Sequence, residues 1–165
     1  MLTITFYPDS DEDALIQASE DYQNIWDNEG EDIVSKIAEI SNLKFIEKYI
    51  NAVVFEGMSF SHPLSLRASY TAETKKATLI HELCHRLTFG NNLKHPTDNE
   101  NLQLTIHKKI NLILYDIWVE LYGEKFADEQ VEIESKRQPF YKEAWNWALK
   151  YSKSERAENF SKLKA

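Results

Sequence analysis

Hydrophobic positions along the chain change period several times, and each change predicts an element. Leu2-Thr3-Ile4-Thr5-Phe6-Tyr7 is rich in β-branched and aromatic residues and stops at Pro8, the pattern of a short strand. Ala14, Leu15, Ala18, Tyr22, Ile25 and Trp26 then recur close to helical spacing. A helix capped by Asp9 or Ser10 is therefore expected to run to about Trp26 and to break at Gly30. A second helix from about Glu31 carries Ile33, Val34, Ile37, Ala38 and Ile40.

From Phe45 the pattern turns to β. Ile50 to Gly57 reads as a strand ending at a glycine, and Leu64 to Tyr70 as another. Leu64, Leu66 and Ala68 alternate with polar neighbours, which predicts one buried and one wet face, as on an edge strand that can pair with an extended peptide.

Thr71 is a good N-cap, with Glu73 favoured in the first turn by the helix dipole. The helix that follows runs to about Phe89, with Gly90 as its stop. Its apolar positions Ala77, Leu79, Ile80, Leu83, Cys84 and Leu87 cover much of its circumference, so it is expected to be largely buried. Thr97 and Glu100 have capping-box spacing, so a long apolar helix is expected from near Asp98 toward Gly123. Phe126, Ala127, Val131 and Ile133 continue a helical pattern, and Pro139 starts a last aromatic helix through Tyr151. Trp118, Trp145 and Trp147 read as core aromatics.

These elements define an α+β class: a helix-rich domain with a small twisted sheet beside the helix after Thr71. The 165 residues suit one domain spanning 1–165. No apolar run approaches the roughly 18 to 20 residues of a membrane span, and the N-terminus lacks a secretory pattern, so a cytoplasmic protein with no membrane partner is expected. The net charge of -8 argues against a broad basic surface for nucleic acid. Acidic residues crowd the segment before Lys36 and basic ones the tail, which predicts solvated helix faces and attraction between the two ends of the chain. The one cysteine, Cys84, has no partner for an internal disulfide and reads as a small core residue.

The chemistry lies in His81-Glu82-Leu83-Cys84-His85, an H-E-x-x-H pattern. On a helix the four-residue step turns both imidazoles to one face, where two nitrogens can bind one divalent metal. Zn2+ accepts neutral imidazole, and a catalytic site keeps three protein ligands plus one water. Bound zinc lowers the pKa of that water to about 7, so Glu82 can take its proton and later deliver it to a leaving amine.

The motif, placed after an edge-like strand and before a second long helix, resembles the zincin superfamily of metallopeptidases. The resemblance is specific over the motif helix and loose over positions 64 to 123. It implies that His81 and His85 bind zinc, that Glu82 is the general base, and that a third ligand comes from downstream. The metzincin extension requires glycine three residues after His85 and histidine three beyond that, but Thr88 and Asn91 stand there.

His107, Asp116 and Glu120 remain on the next helix. If the motif helix ends near Phe89, its histidines lie roughly 6 to 12 Å from that end at 1.5 Å per residue. If an antiparallel helix starts near Asp98, His107 lies about 13 Å into it, and Asp116 and Glu120 roughly 27 and 33 Å. His107 is the preferred ligand. Glu120 comes next, because a glutamate on the second helix completes the gluzincin branch of the family, and Asp116 stays open. Asn111, one turn after His107, is placed to hydrogen-bond a liganding histidine, and Tyr115 to support an oxyanion. Tyr70 and His62 are further candidates.

The expected reaction is hydrolysis of a bond in a peptide or protein substrate. The rival readings are a metal-binding or interaction protein with little turnover and a non-peptidase amide hydrolase.

Overall fold

A computed structural model of the chain describes residues 2–96 and 101–164. Among them are six helices and a three-stranded sheet. They gather into two compact units, Met1–Ser35 with Lys44–Gly90, and Lys36–Leu43 with Asn91–Ala165.

In the first unit β1 (Thr3–Pro8), β2 (Tyr49–Phe55) and β3 (Ser65–Arg67) form a parallel sheet in the order β1-β2-β3. Alternation decides its faces. Ile4, Phe6, Ile50, Ala52, Val54 and Leu66 are buried, while Thr3, Thr5, Tyr49 and Asn51 are exposed. Helix α1 (Asp13–Ser41) lies against the buried face, where Tyr22 stacks on Phe6 with ring centroids 5.7 Å apart.

α1 is one helix of 29 residues, not two. Gly30 does not break it. A Cβ at Gly30 would stand 2.8 Å from the Trp26 indole, so this glycine admits a ring one turn earlier rather than ending the helix. The apolar stripe through Leu15, Ala18, Tyr22, Ile25, Trp26, Ile33 and Ile37 stays buried across it.

β3 is shorter than the expected strand, and its outer edge is already paired. Ser65 exchanges both backbone hydrogen bonds with Phe60 at 2.9 Å. Arg67 gives its N–H to Ser59 Oγ at 3.1 Å, and its carbonyl accepts from the Tyr22 hydroxyl at 3.0 Å. The chain's own segment thus occupies the position expected to receive an extended peptide.

Helix α2 (Ala72–Gly90) contacts β3. It is tied to α1 by ion pairs from Lys75 to Asp21 at 2.6 Å and from Lys76 to Glu29 at 2.5 Å. Asp21 and Glu29 of the acidic segment thus pair with α2, whereas the sequence predicts attraction to the basic tail.

The second unit is built on α3 (Leu102–Tyr122), which packs against α4 (Glu124–Ser135), α5 (Pro139–Ala148) and α6 (Lys153–Ser161). Ile110, Leu112, Ile113, Leu114, Ile117 and Trp118 are buried nearly all round α3, each such side chain contributing roughly 1.5–3 kcal/mol of burial. Asn101 caps α3, its side chain accepting from the Gln103 N–H at 2.9 Å. The cap expected at Thr97 and Glu100 lies outside the described residues. Gly123 ends α3 at φ 89°, where the left-handed region favours glycine.

α6 has no counterpart in the expected elements. Its signal is nevertheless present, since Ser152 and Glu155 form a capping box. No helix among the described residues is long and apolar enough to cross a membrane.

Candidate metal centre

α2 starts where its cap predicts. Thr71 Oγ1 accepts from the Thr74 N–H at 3.3 Å, and Glu73 sits in the first turn. Leu79, Ile80, Leu83, Cys84 and Leu87 are fully buried around it, which fixes the rotation of the helix and so the direction of its histidines. His81 and Glu82 are buried, and His85 is half-buried.

The Nε2 atoms of His81 and His85 lie 3.0 Å apart, with the rings tilted by 58°. Tetrahedral zinc with Zn–N distances near 2.0–2.1 Å sets two imidazole nitrogens about 3.3 Å apart. The pair is within a few tenths of an ångström of that spacing.

The residue after His85 anchors this part of the helix. Arg86 forms a two-point ion pair with Glu47, with Nε to Oε2 at 2.9 Å, and also donates to the Ser61 carbonyl. Glu47 thereby neutralises the one guanidinium adjacent to the histidine pair. His62 stacks on Phe89 with centroids 4.9 Å apart. Partial burial, and then the charge of Arg86, holds the His62 pKa below the ordinary histidine value. Tyr70 lies beneath the Arg67 guanidinium at 5.7 Å.

On α3, His107 is buried and flanked by Phe140 and Tyr141 of α5, with ring centroids 5.1 and 4.5 Å away. Its Nδ1 is 2.6 Å from the Gln103 carbonyl oxygen. A carbonyl only accepts, so the proton sits on Nδ1 and Nε2 is the ring nitrogen that carries the lone pair. The carbonyl that orients His107 belongs to the backbone one turn earlier and has no side-chain signature in the sequence.

One nitrogen from each of His81, His85 and His107 lies within 4.8 Å of the others, a group of three donors that can hold a metal ion. This is an arrangement of the H-E-x-x-H metal-binding kind, and its donors fit zinc, which takes neutral imidazole.

The other candidates have partners elsewhere. Asp116 is buried and accepts from Arg156 through both oxygens, at 2.7 and 2.9 Å. Glu120 pairs with Lys153 at 2.6 Å, which holds its carboxyl below the usual range. The Tyr115 hydroxyl donates to Asp128 Oδ1 at 2.8 Å. Burial first, and then that carboxylate, pushes the Tyr115 pKa up to about 12. Asn111 departs from expectation more sharply, since it is fully buried and its side chain bonds to no histidine or any other group among the described residues. Cys84 is buried and takes part in no disulfide among the described residues.

No family model, curated protein or solved structure matches the chain.

Proposed function

We propose that the protein is a zinc metallopeptidase in which His81, His85 and His107 hold the metal and Glu82 is the general base. The convergence of three imidazole nitrogens within 4.8 Å carries this reading. Three protein ligands are the complement of a catalytic zinc site, which keeps one position open. When bound, zinc polarises a carbonyl and activates water. Glu82, next to His81 and buried, receives the proton released by the attacking water and delivers it to the leaving amine. Its burial raises the value of each charge interaction there, because little solvent screens them. Gln103 holds His107 in the tautomer that presents Nε2. The substrate on this reading is a peptide or protein, met in the cytoplasm, with residues 1–165 acting as one catalytic domain.

The burial of His81, Glu82 and His107 favours a second reading, a metal-binding protein with little or no turnover. Zinc analysis beside Glu82→Gln separates the two. Retained zinc with hydrolysis reduced by about 1,000-fold supports the peptidase. A wild type that holds zinc yet cleaves nothing across a broad peptide library supports the second reading. Cleavage confined to small non-peptide amides would assign a different amide hydrolase.

A further inference from the structure

Asn111 lies four residues after His107 on α3, so the two side chains share one face of that helix. Side chains on a helix lean toward its N-terminus, which inclines the Asn111 amide toward the turn that carries His107. The residue is 0% exposed, and neither Oδ1 nor Nδ2 has a hydrogen-bond partner among the described residues. Both halves of a buried amide left unpaired are costly, and an apolar side chain of similar volume would avoid that cost.

The same feature recurs on α2. Thr78, three residues before His81, is buried and its Oγ1 has no partner. Each helix that carries candidate ligands thus holds, about one turn from a histidine, a buried polar group without a partner among the described residues. Trp118 Nε1, eleven residues beyond His107 on α3, and Gln130 Oε1 on α4 are also buried without a partner among the described residues, so Asn111 and Thr78 are the two that stand within about a turn of a histidine. Asn111, whose oxygen and nitrogen are both unpaired one turn from His107, is the group that polar matter entering the site would satisfy.

We infer that Asn111 is a substrate-binding residue that anchors one residue of an extended peptide beside the metal; this rests on the metallopeptidase reading. In an extended chain the N–H and C=O of a single residue point the same way. Oδ1 accepts that N–H while Nδ2 donates to that C=O, so one carboxamide satisfies both groups and both of its own. With β3's outer edge already paired to the chain's own Ser59 and Phe60, a substrate must find its backbone partners elsewhere, and Asn111 offers one of each kind.

Two probes isolate the peptide contact: acetohydroxamate, which offers a zinc-binding group alone, and acetyl-glycyl-glycine hydroxamate, which adds extended residues. Their binding to the zinc-loaded wild type, Asn111→Leu and Asn111→Ala is measured by calorimetry, with zinc stoichiometry and metal-free melting temperature recorded for each. Both variants are expected to keep zinc and wild-type affinity for acetohydroxamate while losing roughly 10- to 100-fold for the peptide probe. Asn111→Leu is expected to melt no lower than wild type, because it removes an unpaired buried amide. Asn111→Ala covers the case in which leucine does not fit. Unchanged affinity for the peptide probe would overturn the inference and leave Asn111 as the host of a buried water. Loss of zinc in both variants would overturn it too, by placing Asn111 in the metal site. A wild type that binds no zinc removes the metallopeptidase reading and this inference together, and the stoichiometry distinguishes that failure from the others.

Discussion

Nδ1 of His107 and the backbone carbonyl of Gln103 are 2.6 Å apart, and that single contact fixes which ring nitrogen can meet a metal. His107→Ala removes the nitrogen and is expected to weaken zinc binding by at least about 100-fold. Glu120→Ala is expected to leave zinc binding unchanged, because that carboxylate is exposed and paired with Lys153. Metal analysis of the two variants after dialysis against a chelator checks both outcomes. Zinc lost only from Glu120→Ala would replace His107 with Glu120 in the ligand set.

Asp116 is a candidate ligand by type and a structural residue by contact. It and Arg156 are each only 7% exposed and joined by two hydrogen bonds. Asp116→Ala leaves a buried guanidinium unpaired and is expected to cost about 3–5 kcal/mol in urea unfolding. Replacing both partners with leucine and methionine should recover much of that loss. Zinc per folded molecule is expected to stay at the wild-type level in every variant, and a drop in the single mutant alone would point to direct ligation.

Tyr115→Phe tests whether the hydroxyl serves chemistry or packing. The hydroxyl bonds to Asp128, and its pKa of about 12 makes it a reluctant proton donor at neutral pH. Turnover is expected to change by less than about threefold, and stability to fall by about 1 kcal/mol for the lost hydrogen bond. A loss of turnover near 100-fold with zinc retained would instead assign the oxyanion role that the sequence suggested.

The parts of the fold that could be read from sequence are those fixed by local contacts. The Thr71 cap, the step from His81 to His85 and the stop at Gly123 each depend on neighbours within a turn or two. What escaped depends on neighbours distant in sequence, or on one letter serving two purposes. Gly30 carries the same symbol whether it ends a helix or admits the Trp26 ring, and only packing decides. The outer edge of β3 looked open because Phe60 carries no mark of its pairing with Ser65. The signal of α6, Ser152 with Glu155, lies directly after a stronger aromatic pattern whose helical period runs on to Tyr151 and masks the break between the two helices. α3 begins at Leu102 rather than near Asp98, so His107 stands about 8 Å into it rather than 13. Asp116 and Glu120 still lie much farther along.

Gly30→Ala separates the two meanings of that glycine. Were Gly30 only a weak point in a long helix, alanine would stabilise by up to about 1 kcal/mol through its higher propensity. The new Cβ would stand 2.8 Å from a largely buried indole, so the ring or the helix must shift. Overpacking of this kind costs roughly 1–3 kcal/mol, and a net loss of about 1 kcal/mol is expected by chemical denaturation. A gain in stability would show that Trp26 moves aside freely.

The pair of Asp21 and Lys75 gives the first unit a pH dependence with a definite sign. The hydrogen bond from Lys75, opposed in part by burial, holds the Asp21 carboxyl below its ordinary value of 3.8. A carboxyl depressed in the folded state binds protons more readily when unfolded. Its contribution is therefore present above the unfolded value and is lost as the pH falls through the folded one. Lys75 is only 6% exposed at its side chain while Asp21 is 43% exposed, so solvent screens the pair and its worth is about 1 kcal/mol or less. Urea unfolding of wild type and Asp21→Asn should differ by that amount at pH 6 to 7, with the gap closing below the ordinary carboxyl value. A gap that widened on acidification would mean that the pair does not stabilise the fold through the charge on Asp21.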